Sequence, residues 1–185
     1  MGRVLWLPRE GWRPADLPRL GYPVPPSRRT EAWVHHTVTL DNDSTPNVWE
    51  TFDEVCRHMQ RLQTIRAKDL GPDVPYNAVL FCMSSGDLIV AEGVGLYRTA
   101  KHHKGHNTVG LGFAFAGGFH LDSVPPELDA QLEIFGDWLD GLRSIGFTNL
   151  MDSKPNTADR RVFGHRDDKA TECPGGHLFG RLYLI

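Results

Sequence analysis

The residues best suited to chemistry lie near the C-terminal end of the chain, where a histidine stands eight residues before a cysteine. This pair is His165 and Cys173, and the Pro-Gly pair after the cysteine predicts a turn. Far upstream, the segment WVHHT supplies His35 and His36 on a stretch with strand character. Two imidazoles and one thiolate can hold zinc and leave its fourth tetrahedral position open, which is the catalytic arrangement. These residues therefore predict a catalytic zinc site.

Strand alternation decides between the two adjacent histidines. Residues 32–38 are predicted to form a strand whose successive side chains point to opposite faces. His36 shares its face with two valines and is predicted to point toward the core, whereas His35 shares its face with a threonine and points toward a cleft. A lone histidine on a strand is more often structural, so His35 gains its weight from the other two ligands.

Cys173 differs in its surroundings from the other two cysteines. Cys56 lies on an apolar helix face and Cys82 in an apolar strand, so both are interpreted as buried small hydrophobic residues, and nothing supports a bridge between them. Cys173 lies among Thr, Glu, Pro and Gly, which predicts a loop. The alternative, an incidental thiol on the surface, is disfavoured because an exposed free thiol is reactive.

Other polar residues fit the rim of such a site. Tyr76 begins a predicted strand, and its phenol could hydrogen-bond water or a developing oxyanion, or simply pack on its neighbours. Residues 101–107 contain three histidines and two lysines. They are interpreted as a solvated loop or as a wall that binds an anionic or amide-rich substrate, and a second metal site is less favoured. Glu92 either orients a neighbouring group or serves as a turn residue.

Hydrophobic periodicity and turn residues predict one α/β domain with a central mixed β-sheet flanked by about three helices. Residues 1–30, rich in Pro and Arg, are predicted to be an extended arm of the same domain, which continues over residues 31–185. The further strands are expected at 76–83, 87–91, 108–116 and 161–163, and the helices at 45–67, 123–146 and 176–183. Thr45 and Pro46 provide the first helix start, and Pro125 and Pro126 lie in the first turn of the second helix.

Bulk composition limits the classes of partner. The 185 residues carry a formal net charge of −3, which offers no basic surface for nucleic acid. No apolar run approaches the ~18 residues that span a bilayer, so membrane insertion is not expected. The first residues are too short an apolar run for a signal peptide, so synthesis in the cytoplasm without a leader is expected. We expect a monomer.

Four ordered motifs between residues 30 and 183 resemble those of the type-2 zinc N-acetylmuramoyl-L-alanine amidases, which include peptidoglycan recognition proteins and phage lysozyme-like amidases. The motifs read VHHTV at 34–38, PYNA at 75–78, GHNTVGL at 105–111, and GHR with TECPG at 164–175. The segment REGW at 9–12 is similar to the arm that precedes the domain in recognition proteins. The resemblance implies the fold of that family.

The resemblance also implies the chemistry. One zinc ion per chain would be held by His35, His165 and Cys173, and the bond cleaved would be the amide between the lactyl group of N-acetylmuramic acid and L-alanine in bacterial peptidoglycan. Tyr76 matches a catalytic tyrosine, and Thr171 stands where the family carries a Lys or Thr that stabilises the oxyanion. Substrate contacts are assigned to a histidine of the groove in phage members and to two further polar residues: His102, Asn107 and Glu92.

One departure from the family pattern distinguishes between two branches of these amidases. Gly112 occupies the position at which a branch of recycling amidases and autolysins carries a catalytic glutamate, and that branch has Asp where Cys173 stands. The resemblance is therefore to the Tyr/Cys branch, and it favours an active amidase acting on the cell wall as a phage endolysin. A module that binds peptidoglycan without cutting it is the alternative. A metal-storing or regulatory histidine surface is a weaker third hypothesis, which predicts several metal ions per chain.

Overall fold

A computed structural model describes residues 2–39, 45–65, 67–120, 124–157 and 159–185. Its six strands are β1 (Val4–Leu7), β2 (Glu31–His36), β3 (Ala78–Cys82), β4 (Leu88–Glu92), β5 (Gly110–Phe115) and β6 (Phe163–Gly164). The α-helices are α1 (Phe52–Ile65), α2 (Ala67–Leu70), α3 (Leu128–Ser144) and α4 (Gly176–Phe179). Among the described residues, no helix combines the length and the apolar character that crossing a membrane requires.

The strands form one mixed sheet in the order β1-β4-β3-β5-β2-β6. The neighbours β3 and β4, which follow each other in the chain, are antiparallel, and the other neighbouring pairs are parallel. The sequence therefore predicted the fold class correctly. β2, the histidine-bearing strand, lies between β5 and β6 and is held by ladder hydrogen bonds on both sides, so its alternation is rigidly fixed.

Each face of the sheet buries its own apolar cluster. One face packs against α3, whose apolar residues recur every three or four positions and are buried: Leu128, Leu132, Phe135, Leu139 and Leu142. The opposite face packs against α1, through buried Val55, Met59 and Leu62. The sheet thus lies between helical layers, and a side chain on β2 faces one layer or the other according to its parity.

The predicted start of the first helix is wrong. The helix begins at Phe52, because Trp49 is bound to the end of β3: its amide donates to the Cys82 carbonyl at 2.9 Å, and its own carbonyl accepts from Ser84 at 2.9 Å. Thr51 Oγ1 accepts from the Glu54 amide at 3.3 Å. The N-cap of the helix is therefore Thr51, six residues after the predicted cap Thr45.

The second predicted helix also begins later than expected. α3 starts at Leu128, after a turn in which the Leu128 amide donates to the Pro125 carbonyl at 3.0 Å. A proline disfavours helical geometry in the residue before it, so the Pro125–Pro126 pair precedes the helix instead of opening it. The first residue of the predicted helix, Ser123, lies outside the described residues.

The N-terminal segment contributes more regular structure than an extended arm. Val4–Leu7 forms β1 and covers the edge of β4. Trp12 is fully buried against α1, and its indole nitrogen donates to the Glu92 carbonyl at 2.8 Å. Arg9 forms a buried ion pair with Asp73 at 2.8 Å. The first residues are therefore packed into both the sheet and the α1 layer.

Arg29, the last arginine of this segment, is completely buried. Its guanidinium donates to five backbone carbonyls, at distances from 2.5 to 3.3 Å; they belong to Leu96, Arg98, Asn107, Thr108 and Gly110. Burial lowers the pKa of Arg29 to about 10, so the side chain keeps its charge at neutral pH. Residues 93–109 connect β4 to β5 and form the histidine-rich loop. Arg29 thereby fixes both ends of this loop.

Candidate metal centre

The parity of β2 sends its two histidines to different sides. Val34 packs in the core on the α3 side of the sheet, and the neighbouring His35 faces the other side. His36 is buried, and its Nδ1 accepts a hydrogen bond from the Phe119 amide at 3.2 Å. His36 therefore holds the segment after β5, while His35 faces an open hollow.

Three potential ligands meet in this hollow. The ligand atoms of His35, His165 and Cys173 all lie within 4.8 Å of one another, and His35 Nδ1 is 3.7 Å from Cys173 Sγ. β2 supplies the first, the residue after β6 supplies the second, and the following loop supplies the cysteine. The structure thus brings together the three residues that the sequence proposed as ligands.

The donor set fits a tetrahedral ion. Zinc bonds of ordinary length to nitrogen and sulfur place the two donor atoms roughly 3.5 Å apart, close to the 3.7 Å between His35 Nδ1 and Cys173 Sγ. The hollow has a volume of about 350 Å³ and is open to one side. A fourth position is therefore accessible to water or substrate.

Burial adjusts the protonation of these groups. It holds the pKa of His35 well below its usual value, aided by the neighbouring imidazoles, and lowers the pKa of His165 to about 4. Both imidazoles are therefore neutral at pH 7 and offer lone pairs. Burial raises the pKa of the Cys173 thiol to about 11, so without a cation the thiol stays protonated. Metal binding would have to displace that proton.

Tyr76 and Thr171 both line the same hollow. The Tyr76 ring lies 5.5 Å from the His35 ring, measured between centroids. Thr171 Oγ1 accepts from the Cys173 amide at 3.2 Å, which holds the hydroxyl beside the Cys173 backbone and leaves its hydrogen available to donate. Two hydroxyl groups that can donate hydrogen bonds to a substrate oxygen therefore flank the three potential ligands.

His102 lies behind His35. It is buried, and its Nδ1 is 3.1 Å from His35 Nε2. Burial lowers the pKa of His102 to about 3, so this is a contact between neutral rings. A hydrogen bond to the far nitrogen of a ligand imidazole fixes the orientation of that ligand. The sequence placed His102 against substrate, and the structure adds this contact with His35.

Gly112 on β5 makes room for His102. A Cβ atom at this position would lie 2.3 to 2.7 Å from atoms of the His102 side chain. A glutamate side chain at this position would need the space that the His102 ring fills here. Gly112 and His102 are therefore coupled by packing.

We expect Gly112→Ala to destabilise the fold by about 1–3 kcal/mol, the usual cost of forcing an extra carbon into a packed site. Gly141→Ala is the matched control, because nothing lies within 4 Å of its Cβ on α3 and alanine favours helix there. Chemical denaturation measures both. Combining Gly112→Ala with His102→Ala should recover much of the loss; strictly additive effects would contradict the coupling.

The histidine-rich loop brings a second group of side chains together. His103, His106 and Asp168 have ligand atoms within 4.8 Å of one another, and the His103 ring lies 4.9 Å from that of His165. Burial lowers the pKa of His103. Asn107 Oδ1 accepts from the His103 amide at 3.0 Å and faces an adjoining hollow that includes Tyr22. Asn107 thus shapes the loop beside the site.

Glu92 does not belong to the hollow. One carboxylate oxygen accepts from the Arg9 amide at 3.0 Å, and the other forms an ion pair with Arg19. The strand ends at Glu92, where the N-terminal segment passes over it. This placement corrects the assignment of Glu92 to substrate: it anchors the N-terminal segment instead.

Sequence reasoning gave no role to Asn77, a buried residue beside Tyr76. Its Oδ1 accepts from the Gly112 amide at 2.8 Å, and its Nδ2 donates to the carbonyls of Gly95 and Arg98 at 2.8 and 2.9 Å. It therefore ties the start of β3 to β5 and to the loop that leads to His102. The only indication of Asn77 in the sequence was its place in the PYNA motif at 75–78, and no sequence pattern indicated a role for Arg29.

Comparison with known proteins identifies homologues of the chain. No protein-family model matches the chain. The chain is 27% identical to peptidoglycan-recognition protein SC1a of Drosophila melanogaster over 82% of its length and 70% of that protein. It is 28% identical to an N-acetylmuramoyl-L-alanine amidase of Mus musculus over 95% of its length, but that match covers 29% of the mouse protein.

The fold is also found among solved structures. Wild-type Drosophila PGRP-LB superposes with a TM-score of 0.72, covering 96% of this chain and 91% of that one, at 21% sequence identity. The chain is therefore a homologue of peptidoglycan-recognition proteins and of an N-acetylmuramoyl-L-alanine amidase, and it shares the fold of the recognition proteins.

Proposed function

We propose that this protein is a zinc-dependent N-acetylmuramoyl-L-alanine amidase that acts on bacterial peptidoglycan. The observation that carries the proposal is the convergence of His35, His165 and Cys173 in one open hollow, with Tyr76 and Thr171 at its wall. The homologues support peptidoglycan as the ligand, and one of them is named as an amidase.

The reaction adds water across an amide, breaking the bond between the lactyl carbonyl carbon and the nitrogen of L-alanine. A zinc ion held by the three ligands would supply Lewis-acid polarisation of the carbonyl and activation of water. Tyr76 and Thr171 would donate hydrogen bonds to the oxygen as negative charge develops on it. The products are a lactyl carboxylate and a free amino group on the stem peptide.

The alternative function is a module that binds peptidoglycan without cutting it. The specific observation in its favour is that a homologue is named as a recognition protein. Cys173 argues for catalysis, because a glycan-binding surface has no need of a half-buried thiol beside two neutral imidazoles.

We further propose that the amidase serves as a phage endolysin. Its support is the resemblance of His102 to a groove histidine of phage members. The protein would act on the cell wall as a monomer that carries one catalytic zinc ion. Expression together with a pore-forming protein in the bacterial cytoplasm tests this role: lysis that requires both proteins supports it, and survival of the cells contradicts it.

Mass spectrometry of purified peptidoglycan digested with the zinc-loaded protein tests the amidase activity itself. We expect intact glycan strands that carry free lactyl carboxylates on their N-acetylmuramic acid units, and free stem peptides that begin with L-alanine. Binding of peptidoglycan without any new termini would favour the recognition module. New termini inside the glycan or the peptide would contradict the proposed bond.

The contact between His102 and His35 leads to a further prediction. His102→Ala should weaken zinc binding about 10- to 100-fold, the size expected when a group that orients a ligand is lost. His102→Asn should restore much of the affinity, because its amide oxygen can occupy the position of Nδ1. Zinc affinity is measured by competition with a chelator. Equal affinities in both variants and the native protein would limit His102 to substrate binding.

A further inference from the structure

The group formed by His103, His106 and Asp168 lies outside the three proposed catalytic ligands. His103 Nε2 is 3.2 Å and His106 Nε2 is 3.8 Å from Asp168 Oδ2. Ordinary zinc bonds to nitrogen and oxygen place two such donors about 3.4 Å apart. The spacing therefore suits one ion bound by three atoms.

Both histidines are oriented for this role by acceptors that cannot donate. His103 Nδ1 donates to the Lys104 carbonyl at 3.1 Å, and His106 Nδ1 donates to a Glu31 carboxylate oxygen at 2.8 Å. Glu31 is itself held by the Trp33 indole at 2.7 Å. A neutral ring that donates from Nδ1 presents a lone pair at Nε2. Metal-binding histidines are commonly fixed in this way.

His103 Nε2 supplies an independent observation. The His103 side chain is fully buried, and this atom makes no hydrogen bond within the described part of the chain. A buried nitrogen without a partner is costly, and here it lies beside a carboxylate oxygen that also has only lone pairs to offer. A metal cation bound between these two atoms would give both of them a partner.

The charge balance points the same way. Asp168 and Glu31 bring two carboxylates to the group, and Lys169 Nζ, 3.3 Å from Asp168 Oδ2, is the ammonium in contact with the same oxygen. Lys169 and Asp168 are both about half exposed, so this ion pair can open at small cost. A divalent ion would compete with Lys169 for Asp168.

We propose that His103, His106 and Asp168 form a second binding site for a divalent transition metal of the zinc class, beside the catalytic site. Imidazole and carboxylate donors suit zinc and its neighbours better than calcium or magnesium. The ion joins the histidine-rich loop to the loop that carries Thr171 and Cys173. Its role is to hold these two walls of the hollow together.

Cobalt titration of the metal-free protein, followed by optical spectroscopy, tests the second site. Only an ion bound to Cys173 gives a thiolate-to-cobalt charge-transfer band. We expect two ions per chain, one with the band and one without. Asp168→Asn and His106→Ala should each weaken the ion without the band at least ~100-fold and leave the band intact. A single, banded ion in the native protein would overturn the proposal, as would two undiminished ions in Asp168→Asn.

Two further variants sharpen the test. His177→Ala is the matched control, because His177 on α4 belongs to neither group, and it should keep both ions. Lys169→Met removes the competing ammonium and should tighten the second site by roughly 2- to 5-fold, the size of one exposed ion pair. Weaker binding of the second ion in Lys169→Met would overturn the assignment. Because the band reports the first site separately, loss of one site is distinguishable from loss of the other.

Discussion

Cys173→Ser is expected to remove the proposed catalytic metal and to lower the proposed peptidoglycan hydrolysis roughly a thousandfold or more. The thiolate is the charged member of the proposed ligand set, and a serine hydroxyl is a much poorer ligand for zinc. Loss of a Lewis acid removes several kcal/mol of transition-state stabilisation, which corresponds to this factor. Metal content by elemental analysis and release of stem peptides measure the two effects.

Cys56→Ser is the control, because Cys56 packs on α1, away from the hollow, and should retain both metal and activity. The histidines give a second comparison. His35→Ala should lose the metal, whereas His36→Ala should keep it, since His36 holds the Phe119 amide on the other side of β2. The opposite result would contradict the ligand assignment.

Tyr76→Phe should reduce the rate of hydrolysis on the order of a hundredfold while leaving metal content unchanged. The phenyl ring can still pack beside His35, at the 5.5 Å separation of the two rings, so the variant loses only the hydroxyl. A factor of this size is typical when one oxyanion donor or proton-transfer group is removed. Initial rates at saturating substrate provide the measurement.

Tyr97→Phe offers the matched control: Tyr97 is exposed, packs on Phe147 and does not line the hollow. Its rate should equal that of the native protein. Near-normal turnover by Tyr76→Phe would place Tyr76 outside the chemistry and leave it a packing role at the start of β3.

Local signals in the sequence predicted the parts of the fold that short-range physics controls. Alternation along residues 32–38 assigned His35 and Val34 to opposite faces, because a strand held between two neighbours cannot rotate. The buried stripe on α3 could also be predicted, because all of its residues lie on one face of the helix. Periodicity needs no knowledge of distant residues.

Contacts between distant residues explain what the sequence did not reveal. Thr45 and Thr51 are both suitable helix caps, and the bond from the Trp49 amide to Cys82 decides between them. The sequence analysis assigned Glu92 to substrate, but the structure pairs its carboxylate with Arg19. This pairing could not be predicted, because it depends on how the N-terminal segment crosses β4. No pattern within either segment carries this information.

Arg29 has a consequence for where the functional unit begins. The motifs that resemble amidases start near residue 30, yet the guanidinium that holds five carbonyls around the histidine-rich loop stands just before them. A chain shortened to residues 31–185 would keep all three proposed ligands. It would also leave those five carbonyls without their donor, at a cost of about 1–3 kcal/mol for each of the two buried contacts, to Leu96 and Gly110, and it would expose the edge of β4. The segment that encodes the chemistry is thus shorter than the segment that can fold around it.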